Sequence, residues 1–266
     1  MPLELLNFQF LLPALAVVAA RVTGMVIAVP LFASQQIPRV IMAGLVVIVS
    51  LMVFPVVAPL VPSTLTMGQA LAGLLGEFVI GELLGLGAGL VFYAAQVAGQ
   101  IVSHQSGLAL SAVFNPLFDE QSTVLDEVWF FFTMIFFLGL RGHLAVMEVM
   151  LGSFRQVPPL QMTLDPAIGD LTMGLVRSLF DLALRLSGPA ILALLLSSLL
   201  LGFLTKTMPQ LNVLSVGFAL KIGIALVLVA LTLQHAGPLI ESGALSGLDQ
   251  VGGYLAHVAE VAGRGG

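Results

Sequence analysis

Val40 to Val61 runs without one ionisable side chain, and several other stretches of the chain are nearly as bare. A helix needs roughly 20 mostly apolar residues to cross a bilayer. Lipid offers no water to unpaired backbone groups, so only helices and closed barrels can span it. A barrel would show alternating segments of about ten residues, and none is present. Of 266 residues, 59% are hydrophobic and 9% charged, against about 25% charged in an ordinary soluble domain. The mean hydropathy is +1.10. Too few polar residues remain to cover a water-soluble fold of this size. The fold class expected is an all-α integral membrane protein.

The residue inventory excludes several functions. Without cysteine there is no disulfide framework, thiolate metal site or cysteine nucleophile. A net charge of −5 and the lack of a basic run argue against a nucleic acid partner. The N-terminus, MPLELLNFQF, carries Glu4 and no Lys or Arg, so no secretory signal peptide is expected. There is no G-x-S-x-G or S-x-x-K for nucleophilic catalysis. His104, His143, His235 and His257 are scattered, and no metal or cofactor site is expected.

About six spans are expected from the length rule: Phe8–Phe32, Val40–Val61, Met67–Ile101, Val128–Leu151, Leu179–Leu204 and Val213–His235. The third is too long for one upright span. Pro13, Pro30, Pro55, Pro59 and Pro189 lie in or beside these runs. Each removes a backbone N–H and crowds the preceding turn, so kinks or breaks are expected. The Lys and Arg residues of the connections fall on both sides of an alternating bundle, against the positive-inside rule. Either the topology is not a simple up-and-down bundle, or partners guide insertion.

Charges inside apolar spans are functional suspects. Here they are Arg21, Glu77 and Glu82, with Arg141 next. An Arg21–Glu77 or Arg21–Glu82 pair could lock helices together; a proton or ion relay is the other reading. Glu77 and Glu82 stand about 140° apart on a helix, so they are not a paired acid–base site. Gly81, Gly85 and Gly89 recur every four residues and form a stripe that admits close helix packing. Arg177, Asp181 and Arg185 share one face at i,i+4 spacing.

Two further segments stand out. SGLALSAVFNPLFDEQSTVLDEV, Ser106 to Val128, is apolar enough to bury, yet Gly107, Asn115 and Pro116 interrupt a helix. Irregular backbone at membrane depth survives only inside protein or against a water-filled cavity. The segment is therefore either a cavity-closing loop or an inert packing loop. GFLTKTMPQLNVLSVGFALK holds both lysines of the chain, Lys206 and Lys221. Lys206 suits a helix C-terminus, Pro209 stops that helix, and Gln210 to Asn212 lead into the next. Lys221 must snorkel or face protein.

GFLTKTMPQLNVLSVGFALKIGIAL resembles the C-terminal signature of the FliR family of flagellar export-gate proteins, related to the SctT proteins of virulence secretion. ARVTGMVIAVPLF, GELLGLGAGLVFYAAQVAGQIVSHQSGLALSAVFNP and FFLGLRGHLAVMEVMLGSFRQVP agree in order and spacing. Only the tail from about Leu239 lacks a match.

The resemblance implies a FliP-like part at 1–177, a FliQ-like hairpin at 178–240 and a C-terminal tail at 241–266. It implies bent helix hairpins forming one subunit of a helical, ring-shaped export gate. One copy would assemble with several FliP-like and FliQ-like subunits and an FlhB-like protein. The site would be the bacterial inner membrane at the flagellar basal body, where unfolded flagellar subunits enter the channel. The resemblance makes the loop a pore plug, carried by Ser106, Gly107, Leu108, Leu110, Val113, Phe114, Asn115, Pro116 and Phe118. Asp119 and Glu120 depart from the small polar residues of many relatives. The hairpin turn would hold Lys206, Pro209, Gln210, Asn212 and Lys221. MPQLNVLSVGF leans flagellar rather than virulence-type. A transporter would show inverted repeats around a midplane site, and an enzyme a catalytic constellation; neither pattern is found.

Overall fold

The computed structural model describes residues 8–33, 37–61, 67–109, 123–160, 166–208 and 213–264. Among them are helices and turns and no strand. In chain order the helices are α1 (Phe8–Ala28), α2 (Pro30–Ala33), α3 (Arg39–Val57), α4 (Met67–Ser106), α5 (Val124–Gly139), α6 (Gly142–Gln156), α7 (Ala167–Thr207), α8 (Val213–His235) and α9 (Gly237–Arg264). A 3₁₀ turn, Ala58–Leu60, extends α3.

The prolines explain several of these bounds. Pro38 has an extended backbone just before α3, where its missing N–H is one the helix start leaves unused. Pro30 opens α2 in the same way. Pro13, Pro55 and Pro189 lie inside helices that continue past them.

α3, α4, α7 and α8 are each long and apolar enough to cross a membrane. α1 offers a shorter apolar run, Leu12–Ala28, and α5 with α6 is long and apolar enough only as a bent pair, a broken span or a re-entrant loop. The break falls at Arg141, whose φ of 58° is left-handed. That conformation costs a residue with a Cβ about 1–2 kcal/mol. α4 is one 40-residue helix, about 60 Å long, twice the apolar thickness of a bilayer. α7 begins at Ala167 rather than near Leu179, and its exposed Asp181–Arg185 pair (2.8 Å) lies in its first half.

The chain divides into two compact units. One comprises residues 1–90, 141–176 and 244–266, the other 91–140 and 177–243. In the first, Val18, Val22 and Met25 of α1, Ile80 and Leu84 of α4, Met150 and Phe154 of α6, and Val251 and Leu255 of α9 are all buried. In the second, Phe92 of α4 lies 5.1 Å edge-on from Phe137 and 5.9 Å from Phe130, both on α5. Trp129 of α5 and Leu186 and Leu194 of α7 are buried there as well.

The spans differ in how far the chain itself covers them. The apolar window of α4 is 72% buried, but those of α7 and α8 only 17%. Leu192, Leu196, Leu199, Leu200 and Phe203 of α7 are exposed. A row this apolar requires lipid or another protein against it.

Candidate functional site

The polar centre of the first unit is built around Arg21. The side chain leaves α1 inside an otherwise apolar helix and is fully shut off from solvent, as is Glu77 of α4. Arg21 Nε donates to Glu77 Oε2 at 2.7 Å. Its Nη1 donates to Ser153 Oγ at 2.9 Å, and Nη2 to the carbonyl of Val157 at 3.2 Å. The guanidinium carbon also lies 3.9 Å from the centre of the Phe154 ring. The planar fork of arginine suits this arrangement, because its donors point in fixed, different directions.

The second carboxylate oxygen is used too. Glu77 Oε1 accepts from the backbone N–H of Leu160 at 2.8 Å. Leu160 has a φ of 65°, a left-handed turn that a leucine adopts only when its surroundings hold it there. Gly73 leaves room for the Leu160 side chain. Ser153 Oγ, which receives Arg21, donates onward to the carbonyl of Met150 at 2.6 Å. One buried ion pair therefore joins α1, α4, α6 and the turn after α6. Burying two ions costs several kcal/mol each unless their remaining donors and acceptors are met, and here both carboxylate oxygens and three guanidinium nitrogens have partners. Glu82 is half-buried and outside this network. Arg141 is exposed at the α5–α6 break.

Glycines bring α1 and α4 close enough for the pair to form. A Cβ on Gly81 would meet the carbonyl of Arg21 itself, and one on Gly85 would lie 2.6 Å from both Ala28 Cβ and the Met25 carbonyl. Gly24 of α1 faces the Phe78 carbonyl in return. Gly89 is buried. A second crossing uses a glycine out of phase with this stripe. Gly87 opposes Gly247 of α9, each against the other's carbonyl.

The ends of the α4–α5 connection lie in the second unit. Gly107, with φ 90°, ends α4, and the Ser103 carbonyl accepts from the N–H groups of Gly107 and Ala109. Ser106 Oγ, buried, donates to the same carbonyl at 3.1 Å. α5 starts with a capping box. Asp126 accepts from the Thr123 N–H at 2.8 Å and from the Thr123 hydroxyl. The two helix ends touch: the Ser103 and Thr123 hydroxyls share a hydrogen bond, and a Cβ on Gly99 would lie 2.6 Å from Asp126 Cα.

Of the residues expected to form a plug, Ser106, Gly107 and Leu108 are at this stem. Leu110, Val113, Phe114, Asn115, Pro116 and Phe118 lie outside the described residues. Lys206 is exposed in the last turn of α7 and Lys221 is half-buried on α8; Pro209, Gln210 and Asn212 lie outside the described residues. Among the described residues, no group of three or more His, Asp or Glu could hold a metal ion.

Ser153, Phe154, Val157 and Leu160 were not picked out from sequence. Two of the four act through the main chain, which carries no residue-type signal. Gly247 and the buried face of α9 were missed as well, although apolar residues at helical spacing (Leu248, Val251, Leu255, Val258) mark that face.

These features define a membrane protein of several spans, tied internally by a buried ion pair and leaving long apolar helix faces for lipid or other chains to cover. A family model described as bacterial export proteins, family 1, matches residues 12–245, and the chain belongs to that family. It is 27% identical to the flagellar biosynthetic protein FliR of Bacillus subtilis, over 82% of this chain and 85% of that one. It is 29% identical to FliR of Pectobacterium carotovorum, over 83% and 84%. Against the secretion system apparatus protein SsaT of Salmonella typhimurium it is 27% identical, over 61% and 62%.

Proposed function

We propose that this chain is a structural and gating subunit of the flagellar type III protein export channel, not an enzyme. The observation that carries the reading is the family match along residues 12–245. It is supported by the similarity to flagellar biosynthetic FliR proteins, which covers more than four fifths of both chains. One copy joins FliP-like and FliQ-like subunits in a helical ring in the bacterial inner membrane, at the flagellar basal body, beside an FlhB-like protein. Residues 1–177 form the FliP-like part and 178–240 the FliQ-like hairpin. The exposed apolar faces of α7 and α8 are surfaces that such neighbours and lipid would cover.

In this reading the connection near 106–120 is the pore plug, springing from the pinned ends of α4 and α5. Removing the gene should abolish motility and export of flagellar subunits, and a plasmid copy should restore both. Normal export without the chain would sink the proposal. Deleting residues 107–118 should leave the complex assembled but leaky to ions; unchanged permeability would remove the plug role. The match to SsaT supports a virulence-type system as the second reading, and the identity of the exported proteins separates the two.

A further inference from the structure

α4 is mostly buried, yet one strip of it in the second unit is open. Tyr93 and Gln96 are half-buried, and Gln100 and His104 are exposed. At 100° per residue these four positions fall within an arc of about 80°. The adjoining face is occupied: Phe92 packs on the α5 aromatics, Gly99 meets Asp126, and Ser103 bonds to Thr123. The strip carries two amides, an imidazole and a phenol, and half-buried Val97 and Ile101 border it on the other side. The open faces of α7 carry leucine and phenylalanine instead. Each helix contains a stretch apolar enough to span a membrane, yet α7 turns an apolar face outward where the C-terminal part of α4 turns a polar one. Lipid tails cannot satisfy an amide, and polar side chains in spans face protein interiors or water-filled cavities.

We infer that the Tyr93–Gln96–Gln100–His104 strip faces a water-filled passage and forms part of the wall along which an extended polypeptide moves. Amides and an imidazole offer donors and acceptors to a passing main chain without fixing any one sequence, and the strip carries no carboxylate or permanent cation to hold a charged substrate. The inference rests on the export reading. It adds which face of this chain meets the cargo.

The chain has no cysteine, so each variant carries a single one, and labelling is read on the band of this chain. Gln100→Cys and His104→Cys are introduced into the assembled complex, with Gln96→Cys as a further position on the arc should either fail to assemble. Leu196→Cys on α7 is the apolar control. Vesicles of both orientations are treated with a sulfonated, membrane-impermeant maleimide, with and without a substrate stalled by a tightly folded fusion domain. The strip positions should label in at least one orientation and Leu196→Cys should not. Stalling should lower strip labelling at least fivefold. Absent labelling in a strain that exports would place the strip against lipid or protein and overturn the inference alone. Labelling unchanged by the stalled substrate would place it in bulk water, with the same consequence. Failure of the export reading shows separately, as undiminished export in the strain lacking this chain.

Discussion

Arg21 of α1 and Glu77 of α4 make a 2.7 Å ion pair with neither side chain exposed to solvent. The pair also gathers Ser153, the Val157 carbonyl and the Leu160 N–H. Removing one partner of such a pair strands a charge and typically costs 3–5 kcal/mol, whereas an apolar replacement of both can be near neutral. Glu77→Ala should therefore lower the amount of folded protein in membranes severely, and Arg21→Met with Glu77→Leu should recover much of it. Exchanging the charges (Arg21→Glu with Glu77→Arg) should not rescue, because a carboxylate at position 21 would face the Val157 carbonyl. Membrane levels and thermal midpoints in detergent report all three, and full rescue by the exchange would show that charge alone, without the fork geometry, holds the site.

Gly85 lies in the stripe along which α4 packs against α1. A leucine there meets Ala28 Cβ and the Met25 carbonyl, and overpacking of this kind costs about 1–3 kcal/mol or more. Gly85→Leu should reduce the yield of folded chain and of its complex. Gly223→Ala on α8, where nothing lies within 4 Å, should be neutral or gain about 0.5–1 kcal/mol from helix propensity. Equal yields of the two variants would remove the packing role from the glycine stripe.

The Gly87–Gly247 crossing ties the part of α9 from Ala244 onward into the first unit. Gly247→Leu should push the last helix off α4 and expose the segment beyond residue 247 to protease. Gly252→Leu, in open space on the same helix, should not. Identical cleavage patterns would contradict the assignment.

Much of this was legible from sequence and some was not. The bare apolar runs gave the helical membrane class, because lipid leaves the backbone few alternatives. Arg21 and Glu77 stood out since charges in spans are rare. Sequence left Glu82 open as an equal partner; the distinction depends on helix rotation and on acceptors contributed by Val157 and Ser153, more than 130 positions from Arg21. The stripe Gly81–Gly85 was visible as a period of four. Gly87 was not, because its partner glycine lies in α9, for which only a tail was anticipated. The start of α7 was placed about three turns late, because its first turns carry polar residues.

The capping box holds the start of α5 beside the end of α4. Thr123→Ala removes one half of it and should cost about 1 kcal/mol. That lowers a thermal midpoint by roughly 2–4 °C in a protein of this size. Asp126→Ala should cost more, since it also leaves the Thr123 N–H without its acceptor. The order of the two midpoints checks this, and a larger loss for Thr123→Ala would contradict it.

The most direct test of the export-gate account is the native mass of the complex recovered through a tag on this chain, co-expressed with its neighbouring FliP-like and FliQ-like proteins. The account predicts one copy of this chain in a large hetero-oligomer containing both. A stable monomer or homodimer carrying neither would contradict it.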